Sequence, residues 1–439
     1  MIENSFYGER FNLQLKPYKG ADYSKIAFVF PGQGAATPGM MKAELRKLPI
    51  CLKRLEEADL FSDKKKIEKV SWYITKPDAI SKKNFALIQN LALYCLEVGI
   101  FESLILQKRN PLYLTAHSFG EYAALVCAGC LDFNSMLEVI YQRELFSPRP
   151  LDIGTMIALS INKNDFESLN CPIDCVVANI NSPEQIVVSL KMSHVKKMCA
   201  FLKEKRIAYR QLDSVGRPYH SPLMVKTAEQ MKKWVLQSKF VLNNFKIPML
   251  SSVNLKQYAA GSSLSLQEFA ELVSQQVTNP VLFSDQILKL KELGCHSYLE
   301  LGSSQLYVNF VKSILDGQDF SAQTVQSMLT AEGERASRSL EAKLNLENSP
   351  IFKTLSHYIG KVTGYDLLEI GVDDFFQEDL RIDSIKKAEI IFRTLEESNC
   401  HIDESLSLAQ LRSVGEVVEY LEKIQHGPLI KKTKNGCGD

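Results

Sequence analysis

Three observations predict an α/β protein with an inserted ferredoxin-like subdomain, followed by a small all-α unit of about four helices. From Lys25 onward, short apolar strand candidates alternate with helical stretches, the order that builds a mostly parallel sheet covered on both faces. Between about 155 and 213 the rhythm becomes β-α-β-β-α-β, the ferredoxin-like arrangement. After Pro350 the pattern is helical and acidic: residues 351–425 hold 15 Asp and Glu against 8 Lys and Arg, net −7, whereas the 439-residue chain is +1 overall and residues 1–350 carry +6.

Lys25–Phe30 reads as a strand that stops at Pro31-Gly32, and Leu112–Thr115 as a second, followed by a helix over Glu121–Ala128 with Gly129 at its C-cap. In the insert, Met156–Ile161, Val176–Ile180, Gln185–Leu190 and Ala208–Leu212 read as strands, and Asp165–Asn170 and His194–Lys203 as helices. The domain expectation is an extension over 1–24, a large domain over 25–330, a linker over 331–349, a helical domain over 350–425 and a disordered tail over 426–439.

Composition narrows the function. A net charge of +1 and a pI near 7.5 give no reason to expect nucleic acid or an acidic membrane as partner. No apolar run looks long enough to cross a bilayer, and the first residues lack a basic start and an apolar signal core, so a cytoplasmic setting is expected. The ten cysteines are scattered and read as free thiols. Cys127 and Cys130 lack a second pair at metal spacing and read as packing residues, and no metal site is expected.

The strongest local signal is Ala116-His117-Ser118-Phe119-Gly120, between a strand and a helix. A sharp strand-to-helix turn exposes a serine oxygen and demands small residues two positions before and after it; Gly120 meets that demand, and Ala116 adds a methyl to it. Ser118 also falls at a helix N-terminus, where backbone N–H groups can stabilise an oxyanion. Phe30-Pro31-Gly32-Gln33-Gly34 ends a strand with glycines but lacks the residues of a dinucleotide or phosphate loop. Farther on come Arg217-Pro218-Tyr219-His220-Ser221-Pro222-Leu223-Met224 and Gln276-Val277-Thr278-Asn279-Pro280-Val281.

In this order, with Arg143 about one helix after the serine, these motifs resemble the malonyl-CoA:acyl-carrier-protein transacylase family over about residues 25–330. The resemblance implies an α/β-hydrolase-like core with a ferredoxin-like subdomain and a Ser118–His220 dyad acting on malonyl-CoA or a related acyl-CoA. It implies an oxyanion hole from the backbone N–H groups of Gln33 and Phe119, and orientation of His220 by a backbone carbonyl of the Gln276–Asn279 segment, assigned to Gln276. Arg143 matches the arginine that pairs with the free carboxylate of a malonyl-type substrate; the bland alternative is an ion pair with Glu138 or Glu144. Glu144 stands where the family usually has Gly and could compete for that guanidinium. Tyr219 resembles the aromatic of malonyl-selective members, and Asn84, where Gln is usual, bears on pocket polarity.

In the acidic stretch, Asp383-Ser384 opens a helix on which Ile385, Ala388, Phe392 and Leu395 recur at core-facing spacing, with Lys386, Lys387 and Glu389 outward. By itself an acid-serine pair there is an ordinary N-cap. Asp383-Ser384-Ile385-Lys386 resembles the acyl carrier proteins of polyketide and polyunsaturated-fatty-acid synthases, although Arg381 replaces the usual Gly. That resemblance implies covalent 4′-phosphopantetheine on Ser384, attached by a phosphopantetheinyl transferase. It also implies transfer to carriers in cis and in trans, with chain building on a ketosynthase-containing synthase. The competing classes are an acyl-thioester hydrolase and a degenerate docking module.

Overall fold

Five consecutive apolar residues, Ile26–Phe30, have no polar face, and such a strand is stable only in the middle of a covered sheet. In the computed structural model all five are buried and paired on both sides. The structure describes residues 22–212, 216–329, 346–365, 370–372, 374, 376, 380, 382, 384–398, 411 and 413–426. Residues 1–21, the segment 330–345 and residues 427–439, expected as extension, linker and tail, lie outside them. The chain divides into two compact units, Met1–Thr330 and Ala331–Asp439.

The strands among the described residues are β1 (Ile26–Phe30), β2 (Tyr113–Ala116), β3 (Gly154–Leu159), β4 (Cys175–Ser182), β5 (Gln185–Lys191), β6 (Tyr209–Gln211), β7 (Met249–Leu250), β8 (Gln257–Tyr258), β9 (Ser297–Glu300) and β10 (Ser321–Thr324). The central sheet has the order β10-β9-β1-β2-β7-β8. It is parallel except for the β7–β8 edge. The second sheet, β4-β5-β3-β6, is antiparallel throughout, the order a β-α-β-β-α-β chain adopts. Its helices are Lys163–Ser168 and Val195–Glu204, capped at the start of the first by Asn162 accepting from Asp165 N. The insert is tied to the rest of its unit at Val281, which exchanges backbone hydrogen bonds with Ala178 and Ile180.

One expectation needs correcting. The Phe85–Leu106 helix, 22 residues, is by length and composition long and apolar enough to cross a membrane. Here it is almost wholly buried, and Phe101 packs edge-on against Phe28, 6.4 Å between centroids. Apolarity on every side is the mark of a helix enclosed by protein or by lipid, and composition does not tell the two apart.

In the second unit, Ser349 caps the Pro350–Thr363 helix and Gly364, at φ +78°, ends it. With the helices Ser384–Glu397 and Val414–His426 it closes an apolar core that includes Leu355, Ile359, Ile391 and Val418. The expected face of Ser384–Glu397 is rotated. Phe392 is 49% exposed while Lys387 is 7% exposed, its ammonium donating to the Leu411 carbonyl at 3.0 Å. Ile390, Ile391 and Leu395 form an overlapping apolar stripe, and a lysine stem can line a core while its tip finds a carbonyl.

One contact positions the first unit's central turn. A methyl on Gly120 would sit 2.4 Å from Phe30 O and 2.5 Å from Pro31 O, whereas one on Gly34 would meet nothing within 4 Å. Gly120→Ala should therefore lower stability by about 3 kcal/mol and Gly34→Ala by less than about 0.5 kcal/mol. Urea unfolding followed by tryptophan fluorescence measures this, because both tryptophans, Trp72 and Trp234, belong to the first unit.

Candidate active site

The turn after β2 is built as its sequence demands. Ser118–Gly120 form a single 3₁₀ turn that runs into the Glu121–Cys127 helix. His117 N donates to Phe30 O at 2.9 Å, holding the end of β2 against the end of β1. Ser118 adopts φ +49°, a conformation costly for a residue with a Cβ and sustained only by its surroundings. The Glu121 carboxylate anchors the far side of the turn, accepting from Ser252 N at 3.0 Å and Ser252 Oγ at 2.8 Å. Ala116 does not crowd it, since its side chain is buried in the main apolar core.

His220 arrives from the far side of the insert, also at positive φ (+58°) and 2% exposed. Its Nε2 lies 2.6 Å from Ser118 Oγ and its Nδ1 2.9 Å from Asn279 O. A carbonyl only accepts, so Nδ1 carries the ring proton and Nε2 presents its lone pair to the serine hydroxyl. The expected orienting carbonyl, that of Gln276, is not the one used. Gln276 lies inside the Leu266–Thr278 helix, whereas Asn279 is its C-cap, with extended backbone and a carbonyl turned out of the helix. Val277 O accepts from His220 N at 2.9 Å, so two groups at one helix end hold the histidine.

Arg143, on the Phe133–Phe146 helix, is 1% exposed and sits 4.2 Å from the Tyr219 ring centroid and 5.5 Å from that of Phe119. These rings belong to the neighbours of His220 and Ser118. Neither alternative partner engages the guanidinium: Glu138 pairs with Lys65 at 2.7 Å and Glu144 with Arg217. Arg143 Nε and Nη1 have no hydrogen-bond partner. A buried cation left in that state is expensive unless an anion joins it. Beside it Tyr122 donates to Gln276 Oε1 at 2.9 Å, so the Gln276 side chain lines the site although its carbonyl does not orient His220.

Gln33 and Phe119 stand on two turns that abut through Gly120 and Phe30. Asn84 precedes the Phe85–Leu106 helix, and its amide donates to Glu68. The amide that reaches the Gln33 loop is that of Gln89, donating to Ala36 O at 3.3 Å. Ser384 is the first residue of its helix in the second unit; Asp379, Arg381 and Asp383 lie outside the described residues. Among the described residues there is no cluster of three metal-ligating side chains.

Sequence reasoning passed over a second layer. His117 Nε2 donates to Asn181 Oδ1 at 2.8 Å, and its ring packs against Tyr307, 4.8 Å between centroids. Tyr307 OH accepts from Gly32 N at 3.0 Å, and Glu300 Oε2 accepts from Tyr307 N and Val308 N at 3.1 and 3.0 Å. A methyl on Gly32 would lie 2.9 Å from His117 O, so the glycine admits this packing. His117 and Gly32 stand inside the motifs quoted from the sequence, whereas Asn181, at the end of β4, and Glu300 and Tyr307 belong to none of them.

Residues 27–348 match the family described as acyl transferase domain. The malonyl CoA-acyl carrier protein transacylase of Bacillus subtilis is 29% identical over 301 residues, covering 66% of this chain and 90% of that protein. The Escherichia coli K12 protein of the same description is 26% identical, over 70% of this chain and 98% of its own. Among solved structures, the malonyl CoA-acyl carrier protein transacylase of Coxiella burnetii aligns with a TM-score of 0.60 at 26% identity, covering 70% of this chain and 96% of that one. A malonyl-transacylase solved with a type II PKS acyl-carrier protein shares the fold, with a TM-score of 0.60 at 22% identity over 70% of this chain and 99% of that one.

Burial pushes His220 down to about 3 and His117 down to about 4, from an ordinary imidazole value near 6.5. Both are neutral in the folded chain where the unfolded chain binds protons, so their contribution to stability is present above pH 6.5 and is lost as pH falls toward 4 and 3. His220→Gln removes one such group. The unfolding free energy should then fall less steeply with acid, by about 1 kcal/mol per pH unit between pH 6 and 4.5, in urea titrations at a series of pH values.

Proposed function

Because the chain belongs to the acyl transferase domain family, we propose that it moves a malonyl or closely related group from coenzyme A through Ser118 to the thiol of an acyl carrier protein. The observation that carries this reading is the buried guanidinium of Arg143, with Nε and Nη1 unpartnered, beside a serine in hydrogen-bond contact with a neutral imidazole. A plain acyl chain offers such a cation nothing. The free carboxylate of a malonyl group can bond two of its N–H groups at once.

The chemistry proceeds from the geometry. His220 Nε2 takes the Ser118 proton as Oγ attacks the thioester carbonyl, and the Asn279 carbonyl stabilises the imidazolium through Nδ1–H. The backbone N–H groups of Gln33 and Phe119 receive the oxyanion of the tetrahedral intermediate, each worth about 3 kcal/mol in comparable sites. His220 then returns its proton to the departing coenzyme A sulfur, leaving malonyl on Ser118. In the second half-reaction the imidazole accepts the proton of the incoming carrier thiol as the sulfur attacks the seryl ester, and returns that proton to Oγ as the C–Oγ bond breaks, leaving the thioester on the carrier and Ser118 free.

We assign the second unit the role of acyl carrier domain over residues 350–425, with Ser384 as the attachment point for 4′-phosphopantetheine. The acidic composition, the apolar helical core and the position of Ser384 at a helix N-terminus support this, since backbone N–H groups there favour a phosphodiester. When bound, that group supplies a thiol on a long flexible arm. Tethering keeps the acceptor at high local concentration. A phosphopantetheinyl transferase and a ketosynthase-containing synthase are the partners this reading calls for, in polyketide or fatty-acid-type assembly.

Intact-protein mass spectrometry after brief exposure to malonyl-CoA tests the reading. The parent chain should gain one malonyl mass on the Ser118 peptide and Ser118→Ala none; hydrolysis to free malonate with no ester on Ser118 would contradict it. Arg143→Ala should lower kcat/KM for malonyl-CoA by about 100-fold, the loss of a charge-assisted bond of about 3 kcal/mol, and leave acetyl-CoA nearly untouched.

A further inference from the structure

Arg143 is followed in the same helix by Glu144, a carboxylate one position along the chain, yet the two do not pair. Glu144 Oε1 accepts from Arg217 Nη2, and the two side chains, 9% and 4% exposed, form the most buried ion pair among the described residues. Arg217 is fixed independently: its Nε donates to Pro148 O at 2.6 Å and its Nη1 to Tyr219 OH at 3.5 Å. Tyr219 OH also lies 3.4 Å from Ser147 Oγ, and its ring stands directly under the Arg143 guanidinium. Glu144 Oε2 is buried without a partner, so this carboxylate retains capacity for another cation.

We propose that Arg217 is a positioning residue that sequesters the Glu144 carboxylate and so keeps Arg143 available for the carboxylate of the substrate. The inference rests on the malonyl reading above. Burial drives it: once one partner of a buried ion pair is removed, the remaining charge must find another. Among the described residues of the first unit, the other buried Arg or Lys is Arg143, the neighbour of Glu144 in the chain, and any pairing between them would occupy the donors that bind malonyl. Glu144 and Arg217 therefore act as a matched pair, and the site tolerates the acid only because the base is present.

Steady-state transfer from malonyl-CoA to a pantetheinylated carrier tests this. Arg217→Ala should raise KM for malonyl-CoA by about 30-fold while kcat changes by less than about 3-fold, as an internal carboxylate displaces the substrate's from Arg143. Adding Glu144→Gly to Arg217→Ala should bring KM back to within about five-fold of the parent, and Arg217→Lys, which preserves the ion pair, should stay as close. If Arg217→Ala does not yield folded protein, Arg217→Gln carries the same expectation with the volume conserved. An unchanged KM in the single variant, or no recovery on removing Glu144, would overturn the inference while the malonyl reading stands. No malonyl transfer by the parent chain would overturn that reading and this inference with it.

Discussion

The carbonyl of Asn279 can only accept a hydrogen bond, and that restriction propagates through the whole site. It fixes the proton of His220 on Nδ1, which leaves Nε2 bare and 2.6 Å from Ser118 Oγ. Burial removes the other option, imidazolium, by pushing the ring far below neutral pH. The histidine is thereby prepared to take a proton before any substrate arrives. Among the described residues the partner of Nδ1 is this carbonyl and no carboxylate; a helix that stops at Asn279-Pro280 serves in its place.

Holding that arrangement demands a stiff frame, because both ends of the contact are strained. Ser118 and His220 each adopt positive φ. The strain at Ser118 is absorbed where the ends of β1 and β2 meet the following helix across Gly120. At His220 it is absorbed by two carbonyls of one helix terminus and by Ser189 Oγ donating to Tyr219 O at 2.6 Å. The ferredoxin-like insert thus works as a brace: it holds the histidine loop and, through Asn181, the imidazole of His117. The Arg143 guanidinium rests on the same frame, with Tyr219 and Phe119 forming an aromatic seat for a cation whose Nε and Nη1 have no hydrogen-bond partner.

Much of this was legible before any coordinates. Strands such as Ile26–Phe30 announced themselves by unbroken apolarity, and Ser118, His220 and Arg143 by their motifs; all three converge here. The choice between Gln276 and Asn279 was not legible, because it depends on the residue at which a helix ends. The pairing of Glu144 with Arg217 joins side chains 73 positions apart, which no local pattern records. The rotated face of Ser384–Glu397 reflects two apolar stripes that share Leu395, and periodicity cannot rank them when a lysine stem is able to fill one. Glu300 and Tyr307 had no motif at all, since their work is to support a backbone loop.

The tautomer of His220 is the most direct test of the account. Nitrogen-15 NMR of the chain labelled at histidine, with His220→Gln used to assign the signal, should show a neutral ring protonated at Nδ1 that does not titrate between pH 8 and 5. A ring protonated at Nε2, or one that becomes imidazolium near pH 6.5, would contradict it.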